Sequence, residues 1–263
     1  MISAALSVAG ALRASLLRAS RRVLGLDFDG TLAPFRPRRM EVTPYPGVVP
    51  MLEKIHAQGD LLAFFSGRPV AEVRHLLKPL GDRCPIFGCH GGEEGWPGEE
   101  PFLLPLPEQT QEGLAVAEAM FRERWKHKGF TLPCPLERKH GTLALHTRNY
   151  RLPEQDFSVE IWASVARETG LQILPFDGGW ELRHRAFNKG KALERYLASL
   201  PPPEPPSDFV AYLGDDLTDE DAFAFLARRG LGILVRSRWR PTQASAWCVP
   251  PEEVLQFLSL WEK

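Results

Sequence analysis

The sequence predicts an α/β protein with a doubly wound parallel-sheet core, interrupted by an inserted α+β cap. Three observations carry that prediction. Short, continuously apolar runs, such as Val23–Leu26, Leu61–Phe65, Phe209–Leu213 and Leu231–Val235, alternate with amphipathic stretches; strands buried on both faces read this way, with helices as their crossovers. Several of these runs end abruptly in polar or acidic residues, where open α/β sheets place their ligands. Between about residues 107 and 183 the rhythm changes to αββαββ with alternating strands, the order of an antiparallel sheet covered by helices.

In chain order, Met1–Arg22 is rich in Ala, Ser, Leu and Arg and contains no acid. It reads as a helical or frayed extension, with a targeting segment as the second reading. The Val23 strand is followed by a Pro- and Arg-rich loop and a helix over Val48–Gln58, ended by Gly59-Asp60. Leu61–Phe65 is the second strand, Val70–Leu80 a helix and Cys84–Gly88 a third strand. This βαβαβ order implies right-handed crossovers. In the insert, Glu108–His127 and Glu154–Thr169 read as helices. Phe130–Glu137, Thr142–Thr147, Leu171–Phe176 and Trp180–Arg183 read as strands, the last two joined at Asp177-Gly178-Gly179, a hairpin signal. The core then resumes with a helix over Lys189–Leu200, the stiff connector Pro201–Pro206, the Phe209 strand, a helix over Thr218–Arg228, the Leu231 strand and a closing helix over Glu252–Trp261. The expected division is 1–106 with 184–263 for the Rossmann-like core, and 107–183 for the cap.

The bulk numbers narrow the function. The 263 residues carry 32 basic and 33 acidic side chains, a net charge of −1, which argues against non-specific nucleic-acid binding. No apolar run reaches the ~20 residues that span a bilayer. Cys84, Cys89, Cys134 and Cys248 form no Cys-x-x-Cys pair and suit no structural zinc site. Few cysteines in a long chain suggest reduced thiols, and the expectation is a cytoplasmic monomer.

The chemistry lies at the strand ends. Asp27 and Asp29, in Leu26-Asp27-Phe28-Asp29-Gly30-Thr31-Leu32, are two apart and converge beyond the carboxyl end of their strand. Side by side they repel unless a cation or a shared proton compensates them, so a metal, a proton-transfer pair or both are implied. A calcium loop starting at Asp27 would need an acid at its twelfth position, which is Arg38. Ser66-Gly67-Arg68 ends the second strand, where a hydroxyl at a helix start suits an anionic oxygen or simply caps the helix. Lys189 opens a helix directly after the insert. Gly214-Asp215-Asp216-Leu217-Thr218-Asp219-Glu220-Asp221 follows another buried strand. Hard oxygen ligands at two strand ends make a magnesium site, completed by water and a substrate phosphate. Asp216 reads equally as an outer ligand or a helix cap, and His90 as a histidine in a glycine-rich turn.

This constellation resembles the haloacid dehalogenase superfamily of phosphotransferases. The closer resemblance, through Asn188-Lys189-Gly190, Gly214–Phe223, Glu137-Arg138-Lys139 and His146-Thr147-Arg148, is to the trehalose-6-phosphate phosphatases. That resemblance implies Asp27 as nucleophile and Asp29 as general acid and base. It implies Mg²⁺ held by Asp27, the Asp29 carbonyl and Asp215. Ser66 and Lys189 would hold the phosphoryl oxygens, and Asp219 would orient Lys189 or a metal-bound water. Gly30 and Arg68 would contact substrate on the core, and Glu137, Lys139, His146 and Arg148 the sugar on the cap. The expected activity is Mg²⁺-dependent hydrolysis of a small-molecule sugar phosphate, trehalose 6-phosphate first. Sucrose 6-phosphate, a glycosyl-3-phosphoglycerate, a phosphomutase, or a silent regulatory partner of a sugar-phosphate synthase are the alternatives. Cys89, Thr147 and His184 depart from the family's usual residues.

Overall fold

A computed structural model of the chain describes residues 9–36, 38–127, 136–146, 162–163, 166–169, 171–176, 178–205 and 207–263. Two compact units emerge: Met1–Phe102 with Asn188–Lys263, and Leu103–Phe187. The chain enters through α1 (Ala9–Arg18), β1 (Arg21–Leu26), α2 (Val48–Ala57), β2 (Leu61–Phe65), α3 (Val70–Leu76), β3 (Ile86–Gly88), β4 (Glu93–Gly95) and β5 (Phe102–Leu103). The insert holds α4 (Glu108–His127), β6 (Leu136–Lys139), β7 (Thr142–His146), β8 (Leu171–Phe176) and β9 (Gly179–His184). The chain returns through α5 (Lys189–Ser199), β10 (Asp208–Gly214), α6 (Glu220–Leu226), β11 (Leu231–Val235), β12 (Ala246–Cys248) and α7 (Glu252–Ser259).

The large sheet has the order β12-β11-β10-β1-β2-β3-β4-β5. Strands from β12 to β3 run parallel, and β4 pairs antiparallel with β3. The chain winds one way from β1 to β3 and the other way from β10 to β12, so β1 and β10 flank the switch point where such sheets bind ligands. Alternation along each strand feeds two cores. Leu24, Leu26, Leu62, Phe64, Leu213 and Ile233 pack under residues of α2, α3 and α7. Val23, Ala63, Phe65, Tyr212 and Leu234 pack under residues of α5 and α6. With both faces covered, the central strands have no wet side, hence their unbroken apolar sequence.

The insert's sheet has the order β6-β7-β9-β8, antiparallel throughout. Leu143, Leu145 and Leu182 pack with Leu114, Phe121 and Trp125 of α4 and with Trp162. Their strand neighbours Thr142, Ala144, Glu181 and Arg183 therefore face the other way.

Several boundaries differ from the sequence reading. β4, β5 and β12 are two or three residues long, too short to show a period. The helix from Val70 stops at Leu76 and a separate 3₁₀ turn covers Leu80–Asp82, because Pro79 supplies no N–H to continue it. The helix expected from Thr218 divides into a 3₁₀ turn, Leu217–Asp219, and α6. The expected helix at Glu154 lies largely outside the described residues, as do Cys134, Thr147, Arg148 and the start of the Phe130 strand.

Candidate active site

The backbone of β1 delivers Asp27 to the carboxyl edge of the sheet, its N–H still bonded to the Leu213 carbonyl at 2.9 Å. Gly30 then turns with φ +82°, and a side chain there would collide with Asp215: an added Cβ would lie 2.2 Å from Asp215 Oδ2. Only glycine combines that left-handed turn with so close a carboxylate.

Lys189, the first residue of α5, is fully enclosed and bridges two carboxylates. Its ammonium donates to Asp27 Oδ1 at 2.6 Å and to Asp219 Oδ1 at 2.7 Å. Asn188 caps α5, accepting from the Lys191 N–H at 2.7 Å, which fixes the helix start and so the root of Lys189. The other Asp27 oxygen accepts from the Thr31 hydroxyl at 3.1 Å. Asp219 is held on every side: Tyr212 donates to Oδ1 at 2.6 Å, and the N–H groups of Asp215 and Asp216 donate to Oδ2 at 3.2 and 3.0 Å. Asp216 acts as a cap, accepting from the Leu217 N–H at 2.7 Å.

One oxygen each from Asp27, Asp215 and Asp219 lies within 4.8 Å of the other two. Three buried carboxylates thus face one buried ammonium. Burial, together with Asp219 and Asp29, pushes Asp27 from its ordinary 3.8 up to about 7, against the pull of Lys189. Burial, Asp27 and Asp219 likewise push Asp215 well up. Lys189 is held protonated: burial works against its charge, but Asp219 and Asp27 outweigh it. The excess of negative charge and the all-oxygen donor set fit a hard divalent cation. Asp219 is the poorest ligand of the three, since its oxygens already accept four hydrogen bonds. Asp27 and Asp215 offer the freer side-chain oxygens to such a cation.

Ser66 ends β2, with its N–H on the Phe87 carbonyl at 2.9 Å. Its Oγ accepts from the Arg68 N–H at 3.1 Å, and its own hydroxyl proton is suited to an anionic oxygen. The turn is braced from outside: His90 N–H donates to the Ser66 carbonyl and Cys89 N–H to the Arg68 carbonyl, both at 2.9 Å. Cys89 and His90 adopt φ of +49° and +56°, a conformation that costs non-glycine residues about 1–3 kcal/mol each and gathers near functional sites. The His90 ring fills the space beside Gly67, where an added Cβ would lie 2.7 Å from Nε2.

Asp29 and Arg68 meet each other. Arg68 Nε and Nη2 donate to the two Asp29 oxygens at 2.6 and 2.7 Å. On the insert, β6 and β7 pair Glu137 with Ala144 and Lys139 with Thr142, which places Glu137, Lys139 and His146 on one face. Glu137 Oε2 lies 2.9 Å from His146 Nε2 and 3.3 Å from Lys139 Nζ. The same face carries buried Glu181 and Arg183, paired with Ala144 and Thr142.

The fold thus brings together Asp27, Lys189, Asp215 and Asp219, as the sequence predicts, and places Ser66 at the neighbouring strand end. Sequence reasoning misses Thr31, Tyr212, Glu181 and Arg183. Thr31 is visible as the fourth residue after Asp27; the other three look like strand interior until the strands are paired. Among the described residues, no helix is long and apolar enough to cross a membrane.

The sequence matches the family model described as trehalose-phosphatase over residues 25–247. An uncharacterized glycosyl hydrolase of Mycobacterium tuberculosis is 33% identical over 250 residues, which is 93% of this chain and only 18% of that protein's length. Trehalose 6-phosphate phosphatase RA3 of Zea mays is 31% identical over 255 residues, covering 90% of this chain and 68% of that protein. The C-terminal domain of Candida albicans trehalose-6-phosphate phosphatase superposes with a TM-score of 0.78 at 22% identity, covering 97% of this chain and 96% of that one. That last likeness speaks to the fold.

Proposed function

The chain belongs to the trehalose-phosphatase family, and from that premise we propose that it is a Mg²⁺-dependent phosphomonoesterase that releases phosphate from trehalose 6-phosphate. The observation that carries the proposal is the buried chain Asp27–Lys189–Asp219 beside Asp215, at the switch point of the sheet. An enclosed carboxylate, a fixed ammonium and an excess of negative charge suited to a cation support this reading.

Asp27 attacks the phosphorus, the bond to the sugar oxygen breaks, and an aspartyl-phosphate forms; covalent catalysis divides one hard hydrolysis into two easier steps. Asp29 gives a proton to the departing sugar oxygen, and as carboxylate then takes one from the water that attacks the phosphoenzyme. Lys189 and Ser66 hold the transferring oxygens where negative charge is spread in the transition state. Asp219, fixed by Tyr212 and two backbone N–H groups, orients Lys189. Asp27, Asp215 and the Asp29 carbonyl would hold Mg²⁺, which supplies charge neutralisation between nucleophile and phosphate. Glu137, Lys139 and His146, joined by Glu181 and Arg183, offer the insert's polar face to sugar hydroxyls; Arg148 is assigned to the same role from sequence. Gly30 lets the chain pass Asp215.

Phosphate release measured over a panel of sugar phosphates with Mg²⁺ tests the proposal. Trehalose 6-phosphate is expected to give the highest kcat/KM. Higher turnover of sucrose 6-phosphate or a glycosyl-3-phosphoglycerate would reassign the sugar, and turnover of none would leave the site without its chemistry.

A further inference from the structure

We propose that Arg68 is a positioning residue that fixes the carboxylate of Asp29, and that Glu72 and the carbonyl of Arg39 fix Arg68 in turn. The inference rests on the proton-transfer role given to Asp29 above.

The geometry around the guanidinium is nearly saturated. Nε and Nη2 form a two-pronged bond to Asp29 at 2.6 and 2.7 Å. Nη1 donates to the Arg39 carbonyl at 2.8 Å and to Glu72 Oε2 at 3.2 Å. Those four bonds use four of the five N–H donors that an arginine has. The same Glu72 oxygen accepts from Arg39 Nε at 2.7 Å, so side chain and backbone of Arg39 both belong to the bracket. The cation sits 5.7 Å above the Phe28 ring, and the Arg68 side chain is only 8% exposed. Its backbone is pinned as well, the N–H to Ser66 Oγ and the carbonyl to Cys89.

An arginine meant chiefly for a phosphate would keep its fork open. Here the fork is spent on Asp29, in the planar paired geometry that restricts a carboxylate most tightly. Asp29 stands beyond the end of β1 and is 24% exposed at its side chain; among the described residues the fork from Arg68 supplies the hydrogen bonds that hold its rotamer. A general acid contributes only when its proton lies within reach of the leaving oxygen, so the orientation of Asp29 decides how well a poor leaving group departs. Substrate binding and Asp29 positioning therefore predict different outcomes when Arg68 is changed.

The test compares kcat/KM for trehalose 6-phosphate, whose sugar alkoxide needs a proton to leave, with that for p-nitrophenyl phosphate, whose phenolate does not. This parameter spans the steps up to phosphoryl transfer to Asp27 and excludes hydrolysis of the phosphoenzyme. Arg68→Met is expected to lose roughly 10-fold or more on the sugar phosphate beyond its loss on the aryl phosphate, within the ~10²–10⁴-fold range of general acid catalysis. Arg68→Lys, which keeps the charge but not the fork, is expected to show the same imbalance. Glu72→Gln should show a smaller imbalance of the same sign. In an Asp29→Asn background the imbalance should vanish. Equal losses on both substrates, or losses unchanged by Asp29→Asn, would make Arg68 a phosphate contact and overturn the inference. Should Arg68→Met fail to fold, Arg68→Lys and Glu72→Gln decide between the two roles. A wild-type protein that hydrolyses neither substrate would instead refute the proposed function itself.

Discussion

β1 carries buried charge at both ends, and the two ends balance it differently. At the amino end Arg22 faces Asp60, with Nε donating to Oδ1 at 2.6 Å and the second prong made by Nη2. Arg22 also lies 5.7 Å over the Trp261 ring. One buried cation meets one buried anion, and the two charges cancel. At the carboxyl end Lys189 bridges Asp27 and Asp219, and Asp215 adds a third buried carboxylate within 4.8 Å of both. The first arrangement is complete by itself and needs nothing further. On the proposed function a visiting cation and phosphate complete the second, and an unbalanced buried cluster of this kind, rather than a neutral pair, marks a candidate reactive site.

Substituting one carboxylate at each end is the sharpest way to break the contrast. Asp27→Asn should lower kcat for phosphate release by ~10³-fold or more, the scale at which loss of a nucleophile is felt. The metal-free variant should melt no lower than the metal-free parent, because one of the crowded carboxylates is gone. Appreciable residual turnover would place the nucleophile elsewhere. Asp60→Ala should do the reverse: ~3–5 kcal/mol less stable by denaturant titration, because Arg22 is left buried and unpaired, with the activity of the folded fraction within about twofold of the parent. A large fall in that activity would tie the two ends together and end the contrast.

Metal removal probes the same difference more gently. Asp27 has its folded pKa raised from 3.8 to about 7, so across that window the folded chain holds a proton that the unfolded chain has released. Stability of the metal-free protein should therefore fall as pH rises from about 4 to about 7. Mg²⁺ at a hundredfold excess over its Kd at pH 7.5 should restore about 2.7 kcal/mol, or roughly 5–10 °C in Tm for a chain of this size, and the same Mg²⁺ concentration should restore less at pH 5. A Tm shift independent of pH would count against Asp27 as a ligand. Smallest is the effect expected on the insert. Glu137→Ala should reduce kcat/KM for the sugar phosphate by about 10–100-fold, the worth of ~1.5–3 kcal/mol for a hydrogen bond to a charged group, while sparing p-nitrophenyl phosphate. Parallel losses on both substrates would take the sugar role from it.

The two ends of β1 also differ in how plainly they can be read. The carboxyl-end residues stand out because apolar strands stop there: Asp27, Ser66 and Asp215 each follow a buried run, and the parallel order of those runs brings them to one edge. Arg22 and Asp60 resemble ordinary polar residues flanking strands until β1 and β2 are paired. The Arg68–Asp29 fork is hidden for a related reason. The two residues are 39 apart, no periodicity links them, and Arg68 by itself suits a substrate phosphate equally well. Glu181 and Arg183 read as the polar half of an alternating strand, a pattern that normally marks the wet face. Only the register with β7 puts them, buried, on the same face as Glu137 and Lys139, with Ala144 and Thr142 of β7 between the two pairs. Short edge strands such as Ala246–Cys248 exist because β11 offers them a partner, and three residues have no pattern of their own to display.

The ring of His90 occupies the volume that any side chain at position 67 would need, while its own backbone holds a left-handed bend that glycine would adopt freely. These two sites are thus interdependent in sequence space. A library that randomises position 67 alone should return little but glycine, whereas joint diversification should recover pairs with the bulk exchanged, such as alanine at 67 with glycine at 90.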